Sequence, residues 1–454
     1  MKTLIKNGTL VLSDGLLRDD LLIEDGKIVK FGECDADEIY DASGCLVFPG
    51  FIDAHTHLEM DNGVTVTADS FDSGTKAALA GGTTTILDFA TQDRGGSLKD
   101  ALNAWHKRAD NNCSCNYGFH MAITDWNESV KNELPEMTLA GVTSYKVYMA
   151  YDALRLSDAD IFDVLKSVKK ENGIVGAHCE NGDLVNSLVK LNIANNNTSP
   201  AFHPLSRPDY IEAEAVDRYI SIAKAADAPI NIVHLSTEKG LERIKKARKE
   251  GQTVYIETCP QYLTLTDDVY LLENFESAKY VCSPPIRKIR DRDSLLNAVK
   301  DGIIDTVATD HCSFNFKGQK ELGKDDFSKI PNGLAGIEHR PAIFYTACVD
   351  SGLCSASDMA RMLCENPAKL FGMYPQKGIL SPGSDADITI IKTDTGFTVK
   401  ASDQVQNVDH SPWEGYECKC LIKAVFVNGE LAVKNGRVIK PYLGQYVPRK
   451  KSEL

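Results

Sequence analysis

Two histidines, two positions apart, end the first strongly apolar segment of this chain. Residues 50–57 read Gly-Phe-Ile-Asp-Ala-His-Thr-His. Successive side chains of a strand point to opposite faces, so His55 and His57 project from one face, as two ligands of one metal ion must. The pattern predicts a metal site. Alone it is a weak signal, because two polar residues where a strand meets solvent are also common.

Four further residues with suitable side chains stand at or near the ends of other apolar segments: Lys146, His178, His234 and Asp310. A lone histidine in such a place is usually a hydrogen-bonded core residue, but two of them beside a His-x-His pair favour ligation. Asp310 could bind a metal through one oxygen and accept a proton through the other, or it could cap the helix that follows. Five apolar segments thus carry side chains that could bind metal ions.

Lys146 lies inside the apolar segment 141–149, where an unpaired ammonium is costly to bury. Two interpretations remain open. The lysine can pair with a buried acid. Alternatively, its desolvated amine can capture carbon dioxide and become N6-carboxylysine, a carbamate whose two oxygens bridge two metal ions.

These segments belong to a series of eight apolar strands separated by stretches of helix length, which is typical of parallel β/α units. The predicted strands are residues 50–57, 83–89, 117–123, 143–149, 174–179, 230–235, 253–258 and 305–310. Eight such units form a closed barrel with its site at the carboxyl ends of the strands. A doubly wound sheet is the competing fold, but no Gly-x-Gly-x-x-Gly follows the first strand. The sequence predicts an α/β protein built on a (β/α)8 TIM barrel.

The two ends of the chain have a different pattern of predicted secondary structure. Residues 4–50 read as short alternating strands with Asn-Gly and Asp-Gly turns, typical of antiparallel hairpins, and the same pattern returns from about residue 380. Neither end is long enough to build a core alone. We therefore predict a small discontinuous β-sandwich domain from residues 1–50 and 380–454, and a catalytic barrel domain from residues 51–379.

The composition excludes several classes of protein. Of 454 residues, 43% are hydrophobic and 25% charged, which is typical of a soluble globular protein. The formal net charge of −14 disfavours nucleic acid as a partner. No apolar run reaches the roughly 18 residues that cross a bilayer, and the start lacks a signal-peptide pattern. We expect a cytoplasmic protein without a membrane partner.

Taken together, these motifs resemble the amidohydrolase superfamily, and within it the hydantoinase and dihydropyrimidinase family of cyclic amidases. The resemblance covers nearly the whole chain and rests on residues 49–58, 144–151, 178–183, 234–240, 257–262, 282–285 and 330–333, in the expected order. It implies that His55 and His57 hold the more buried of two zinc ions, with Asp310 on its open side. His178 and His234 would hold the more exposed ion. Carboxylated Lys146 would join both.

The resemblance also implies a reaction. Two divalent ions would lower the pKa of a bridging water, and the resulting hydroxide would attack a ring amide carbonyl. Asp310 would carry the proton to the departing ring nitrogen, and Tyr151 would donate to the developing oxyanion. Ser283 and Asn332 would hold the imide edge, largely through main-chain groups. A hydantoin or 5,6-dihydropyrimidine ring would open to an N-carbamoyl amino acid.

The resemblance leaves cofactor and assembly less defined. Imidazole, carboxylate and carbamate ligands suit Zn²⁺, Mn²⁺ and Co²⁺ alike, and we expect Zn²⁺. Family likeness implies a homotetramer. The family often has apolar or aromatic residues at the positions of Arg155 and Asn62, where they form the pocket for the exocyclic substituent of the ring. We hypothesise that Arg155 favours a polar or anionic substituent; the alternative is that it points to solvent.

Three other functions compete with this one. An allantoinase shares the metal ligands but usually lacks the context of Tyr151 and of residues 282–285. A dihydroorotase carries an arginine shortly after His-x-His, whereas Leu58-Glu59-Met60-Asp61 follows here. A non-catalytic scaffold of the kind related to dihydropyrimidinase would have lost metal ligands. All six candidate ligands are present in this sequence, which favours an enzyme.

Overall fold

The chain begins in β-sheet, and the computed structural model describes residues 1–452. The first strands are β1 (Lys2–Lys6), β2 (Thr9–Leu12), β3 (Gly15–Arg18), β4 (Leu21–Glu24), β5 (Lys27–Phe31), β6 (Glu38–Asp41) and β7 (Cys45–Pro49). Four of them form a sheet in the order β5-β4-β1-β6. The remaining three join strands from the other end of the chain.

Eight parallel strands of the described chain follow and surround the centre of the molecule. They are β8 (Phe51–Thr56), β9 (Thr83–Thr91), β10 (Asn116–Ala122), β11 (Ser144–Tyr148), β12 (Ile174–His178), β13 (Ile230–Ile232), β14 (Val254–Thr258) and β15 (Thr306–Val307). Each pairs with the next in chain order, and Thr56 bridges His311 beyond β15, which brings the two edges together. The predicted barrel is confirmed. β13 and β15 are shorter than predicted, because the chain leaves the sheet before His234 and Asp310.

Helices connect the barrel strands and cover their outer side. Within residues 1–452 the α-helices are α1 (Phe71–Ala80), α2 (Leu98–Ala109), α3 (Glu128–Asn132), α4 (Leu134–Leu139), α5 (Asp158–Lys170), α6 (Gly182–Ala194), α7 (Phe202–Leu205), α8 (Asp209–Ala226), α9 (Glu238–Lys249), α10 (Pro260–Thr264), α11 (Ile289–Lys300), α12 (Arg340–Phe344), α13 (Ala356–Ala360) and α14 (Asn366–Leu370). Short 3₁₀ segments span Asp267–Leu271, Glu276–Tyr280, Lys320–Gly323 and Phe327–Lys329, and π-helical turns span Tyr345–Asp350 and Arg361–Glu365.

Local sequence explains these elements. β8 and β10 are buried along their whole length, as expected for parallel strands covered on both faces. In α9 the buried residues Leu241, Ile244 and Ala247 recur at helical spacing, so one face packs on the barrel while the charged residues face solvent. The helix begins at Thr237, whose side chain accepts a hydrogen bond from the Gly240 amide.

The two ends of the chain meet in a shared sheet. The C-terminal strands are β16 (Ile388–Lys392), β17 (Phe397–Thr398), β18 (Glu417–Cys418), β19 (Leu421–Val427), β20 (Glu430–Lys434) and β21 (Arg437–Val438). A seven-stranded sheet runs β21-β20-β19-β16-β7-β2-β3, so the four C-terminal strands meet the three N-terminal strands where β16 pairs with β7. Its buried side chains pack with those of the four-stranded sheet in a cluster that includes Ile5, Ile23, Val47, Ile390 and Phe426. This confirms the discontinuous β-sandwich.

The domain limits themselves stay a prediction. Strand β7 ends at Pro49 and β8 begins at Phe51, close to the predicted limit at residue 50. None of the helices within the described residues combines the length and apolar character needed to span a bilayer.

Candidate metal centre

The carboxyl ends of the barrel strands bring the six predicted ligands into one cluster. His55 lies in β8 and His57 just after it, Lys146 lies in β11, His178 ends β12, and His234 and Asp310 follow β13 and β15. Because the strands are parallel, their carboxyl ends meet on one side of the barrel. Six residues spread over more than half of the sequence therefore reach one place.

The first part of the cluster centres on one carboxylate. Asp310 Oδ1 lies 3.1 Å from His55 Nε2 and 3.2 Å from His57 Nε2. Lys146 Nζ lies 2.9 Å from the same His55 nitrogen. Asp310 therefore binds the two histidines of the His-x-His motif, as a ligand of the same ion would, and these contacts do not support the alternative of a helix cap.

The second part of the cluster is a pair of imidazoles. His178 Nδ1 lies 3.1 Å from His234 Nε2, and the ring centroids of His55 and His234 are 5.5 Å apart. Ligand atoms of His55, His234 and Asp310 all lie within 4.8 Å of one another. The two parts of the cluster therefore share one pocket.

The donor set suits divalent metal ions. Imidazole nitrogens and a carboxylate are the usual donors to zinc and related metals. The Nδ1 atom of His234 is buried and has no hydrogen-bond partner among residues 1–452. A buried polar atom without a partner is unusual, and such atoms occur where a ligand or ion completes the site. The residues present thus fit a metal centre.

Electrostatics keeps several of the predicted ligands in the forms that bind metal. His55 is the exception, because burial would lower its pKa but the adjacent Glu257 and Asp310 outweigh burial and raise it. Burial lowers the pKa of His57 to about 4 and also lowers the pKa of His178 and of His234, so these rings are neutral near pH 7. For Asp310, burial alone would raise the pKa, but the His55 and His57 rings hold it well below the usual 3.8. Asp310 is therefore ionised.

Two buried acids orient the histidines from behind. Glu257 Oε1 lies 2.6 Å from His55 Nδ1, and Glu180 Oε2 lies 2.8 Å from His178 Nε2. Each carboxylate accepts the proton of one ring nitrogen and leaves the other nitrogen facing the cluster, as partners of metal-binding histidines usually do. Neither Glu180 nor Glu257 is among the functional residues predicted from the sequence. The sequence feature that could have identified them is an acidic residue at or just after the end of an apolar strand, where the predicted ligands also lie.

Lys146 has an environment that favours its neutral amine. Its side chain is buried, with Nζ 4.4 Å from the ring centre of Phe89 and 5.2 Å from that of Tyr148. Burial lowers its pKa, and the nearby Asp310 and Glu257 offset this effect only in part. In the described part of the chain no carboxylate forms an ion pair with it, so the arrangement does not support pairing with a buried acid.

The predicted substrate residues surround the same pocket. The Tyr151 ring centre lies 5.2 Å from that of His178, and burial raises the pKa of Tyr151 to about 12, so its hydroxyl is a proton donor at neutral pH. Ser283 Oγ lies near the Tyr151 hydroxyl but has no hydrogen-bond partner of normal geometry among residues 1–452. The carbonyl of Asn332 accepts from Cys312 Sγ at 3.6 Å, two residues after Asp310.

Three residues of this pocket have strained backbone conformations. Tyr151, His234 and Asp310 have φ values of 68°, 40° and 52°, in the left-handed region that favours glycine. Such conformations cost about 1–3 kcal/mol each and are found mainly where function requires them. They turn the chain out of the strand, which is why the last two ligands follow their strands rather than lie in them.

Arg155 and Asn62 lie outside the ligand cluster. The Arg155 guanidinium is 2.7 Å from Asp183 Oδ1 and 3.0 Å from Asp152 Oδ1, and its side chain is 31% exposed. The Asn62 side chain accepts the amides of Val64 and Thr65 in an exposed turn. Arg155 is thus neither a free cation nor fully in solvent, and the roles of both residues toward a substituent stay predictions.

Known proteins resemble this chain in sequence over most of its length. The family model described as "Amidohydrolase family" matches residues 46–432. The chain is 41% identical to D-hydantoinase of Geobacillus stearothermophilus, with 99% of this chain and 97% of the relative covered. It is 40% identical to D-hydantoinase of Ralstonia pickettii, with 99% of each covered.

A solved structure gives the same result. The crystal structure of dihydropyrimidinase from Brevibacillus agri superposes with a TM-score of 0.98 and 41% identity, and the match covers 100% of this chain and 99% of that one. The relatives and the solved structure therefore agree with the fold of this chain along nearly its whole length. The chain belongs to the amidohydrolase family and, within it, to the hydantoinase and dihydropyrimidinase group.

Proposed function

We propose that this chain is a hydrolase that opens the cyclic amide bond of hydantoins or 5,6-dihydropyrimidines and releases N-carbamoyl amino acids. The observation that carries the proposal is the convergence of six potential metal ligands at the mouth of the barrel. Relatives named D-hydantoinase, about 40% identical over the full chain, support this class of substrate.

The proposed cofactor is a pair of divalent ions, most simply Zn²⁺. His55, His57 and Asp310 would hold one ion, His178 and His234 the other, and Lys146 would bridge them as N6-carboxylysine. The lowered pKa of the Lys146 amine supports this modification, because only the neutral amine attacks carbon dioxide. When bound, such an ion pair supplies a water of low pKa and polarises a carbonyl oxygen.

The side chains of this chain would then divide the reaction among them. Asp310, ionised and 3.1–3.2 Å from two histidines, is placed to accept a proton from the attacking water and to return it to the departing ring nitrogen. The Tyr151 hydroxyl, protonated at neutral pH, would donate to the oxyanion that develops at the attacked carbonyl. The main chain at Ser283 and Asn332 would hold the imide edge.

A substrate panel tests the proposal. Dihydrouracil, hydantoin, 5-substituted hydantoins, allantoin and dihydroorotate are incubated with the zinc-loaded protein, and formation of the carbamoyl product is measured. We expect turnover of the first three classes. Preferred turnover of allantoin or dihydroorotate would replace the proposal by the corresponding sister activity.

Metal analysis separates the enzyme from a scaffold. We expect up to two metal ions per chain in protein purified without chelators, and a carbamate at Lys146 detectable by ¹³C NMR after labelling with ¹³CO₂. A preparation with only trace metal, inert after zinc and bicarbonate are supplied, would favour the scaffold. We also propose that the chain forms a homotetramer, because the family resemblance implies one, and analytical ultracentrifugation can test this. A cytoplasmic location stays a prediction.

A further inference from the structure

A second buried lysine lies beside the ligand cluster rather than in it. Lys320 begins the 3₁₀ segment Lys320–Gly323 and has 0% of its surface exposed. Nothing in its local sequence, Lys317-Gly-Gln-Lys320, distinguishes it from an exposed lysine. Its burial therefore comes from the tertiary structure.

The ammonium of Lys320 is saturated by main-chain oxygens. Nζ donates to the carbonyls of Val281 at 2.7 Å, Pro331 at 2.7 Å and Gly333 at 2.8 Å. A lysine has three protons to donate, so each has one acceptor. In the described chain no carboxylate pairs with this cation.

These three carbonyls belong to the two loops that carry the proposed imide-binding residues. Val281 precedes Ser283 by two residues, and Pro331 and Gly333 flank Asn332 on both sides. The loops are also joined directly, because the Gly333 amide donates to the Val281 carbonyl at 3.0 Å. Lys320 thus fixes the main chain of one loop relative to the other.

Other contacts anchor the same loops without replacing this one. His203 Nε2 lies 2.7 Å from the Cys282 carbonyl, which it can only approach as a donor. Cys312 Sγ contacts the Asn332 carbonyl at 3.6 Å. Each of these groups holds a single loop, whereas Lys320 binds both.

The free-energy cost of burying the Lys320 ammonium indicates that this residue does not serve stability alone. Burying a cation without an anion is unfavourable, and burial lowers the pKa of Lys320 to about 8. An apolar side chain of similar length would avoid this cost but would leave the Pro331 and Gly333 carbonyls without this donor, whereas the Val281 carbonyl also accepts from the Gly333 amide. The lysine is suited to hold carbonyls that converge from two loops.

We propose that Lys320 is a positioning residue for the substrate: by binding both loops it sets the distance between the Ser283 and Asn332 main chains, and so the width of the slot that receives the imide edge. This inference rests on the proposed function, since it assumes a cyclic amide in that slot. Lys320 itself touches neither the substrate nor the metal ligands.

The variant Lys320→Met tests the inference, with Lys324→Met as the matched control. Lys324 is exposed and directly follows the same 3₁₀ segment. For Lys320→Met we expect KM to rise by about tenfold or more for dihydrouracil, hydantoin and 5-phenylhydantoin alike, because all three share the imide edge, while kcat changes by less than about threefold. Metal content should not change. Lys324→Met should match the native enzyme.

The readouts distinguish positioning from general stability. An unchanged KM in a folded, metal-loaded Lys320→Met protein would overturn the inference, as would a fall in kcat or metal content without a rise in KM. If Lys320→Met does not fold, Lys320→Gln is judged by the direction of the change in KM, because its shorter side chain donates two hydrogen bonds and leaves at least one of the three carbonyls without this donor; an unchanged KM would overturn the inference.

Should neither variant fold, hydrogen exchange of the native enzyme decides. Peptides covering residues 281–285 and 331–334 should exchange as slowly as the barrel strands; rapid exchange there would overturn the inference. Native activity is measured first. A native enzyme that opens no cyclic amide contradicts the proposed function, whereas an active native enzyme with an unaffected Lys320→Met variant contradicts only the role of Lys320.

Discussion

Two buried lysines lie near the mouth of the barrel, and their surroundings differ. Lys320 gives each of its three protons to a main-chain carbonyl. Lys146 has one hydrogen-bond partner among residues 1–452, His55 Nε2, and otherwise faces the rings of Phe89 and Tyr148 beside the other predicted metal ligands. Burial lowers the pKa of both amines.

The difference shows how one residue type serves architecture in one place and chemistry in another. An ammonium whose three protons all have acceptors orders the groups around it, even though burial lowers its pKa to about 8. An amine with few acceptors loses less when it gives up its proton, and burial lowers the pKa of Lys146 in that direction. Lys146 is therefore suited to become a carbamate, and Lys320 is suited to remain a clamp between two loops.

The sharpest test of this contrast is Lys146→Met. We expect kcat/KM to fall by about a thousandfold or more, and metal content to fall with it, because the proposed bridging ligand is lost. Steady-state hydrolysis of dihydrouracil and elemental analysis measure both effects. Partial rescue by acetate, which offers a carboxylate in place of the carbamate, would support the proposed ligand. Retention of a tenth of the native activity would contradict the role of Lys146.

Glu257→Gln probes the support behind the ligands. The glutamine keeps the shape but weakens the acceptor at His55 Nδ1, so the ring is held less firmly and is a poorer ligand. We expect metal affinity to fall by about 10- to 100-fold, measured by chelator competition. Lys320→Met serves as the contrasting variant, because it should leave metal affinity unchanged. Equal losses of metal affinity in Glu257→Gln and Lys320→Met would show that Lys320 also supports the metal ligands, which would contradict the separate roles of the two lysines.

The charge of Lys320 predicts a pH dependence of stability. Its pKa is lowered from the ordinary 10.5 to about 8 in the folded protein, so the unfolded chain binds more protons between these values. The free energy of unfolding of the native enzyme should therefore rise relative to that of Lys320→Met as the pH increases from about 8 to 10.5. Denaturant titrations of both proteins across this range measure the difference. A constant or falling difference would contradict the lowered pKa of Lys320 in the folded protein.

Arg155→Ala is expected to have the smallest effect. Because Arg155 is bound to Asp152 and Asp183, an anionic substituent must compete with two carboxylates for it. We expect the preference for carboxymethyl- over phenyl-hydantoin, measured as a ratio of kcat/KM values, to fall only a few-fold in this variant. Lys320→Met should lower kcat/KM by the same factor for carboxymethyl- and phenyl-hydantoin, so the ratio of the two values should not change. An unchanged ratio in Arg155→Ala would show that this residue does not select the substituent.

Much of the barrel could be predicted because its signals are local. Continuous apolar runs such as that of β8 specify buried strands, and their number and spacing specify the barrel. The same signals placed the candidate ligands at strand ends. They failed at His234 and Asp310, which were predicted inside strands: the left-handed φ of each residue depends on the surroundings of the pocket and leaves no trace in hydrophobic periodicity.

The sequence by itself determined which residues could bind metal and on which side of the barrel they would lie, since strand direction and side-chain alternation follow from local pattern. Only the tertiary structure decided their partners. Glu257 meets His55 across 202 positions of sequence, and Lys320 joins loops that are separate in the chain. Such contacts depend on closure of the barrel, because a charged side chain carries no local signal of the group that will accept its proton once water is excluded.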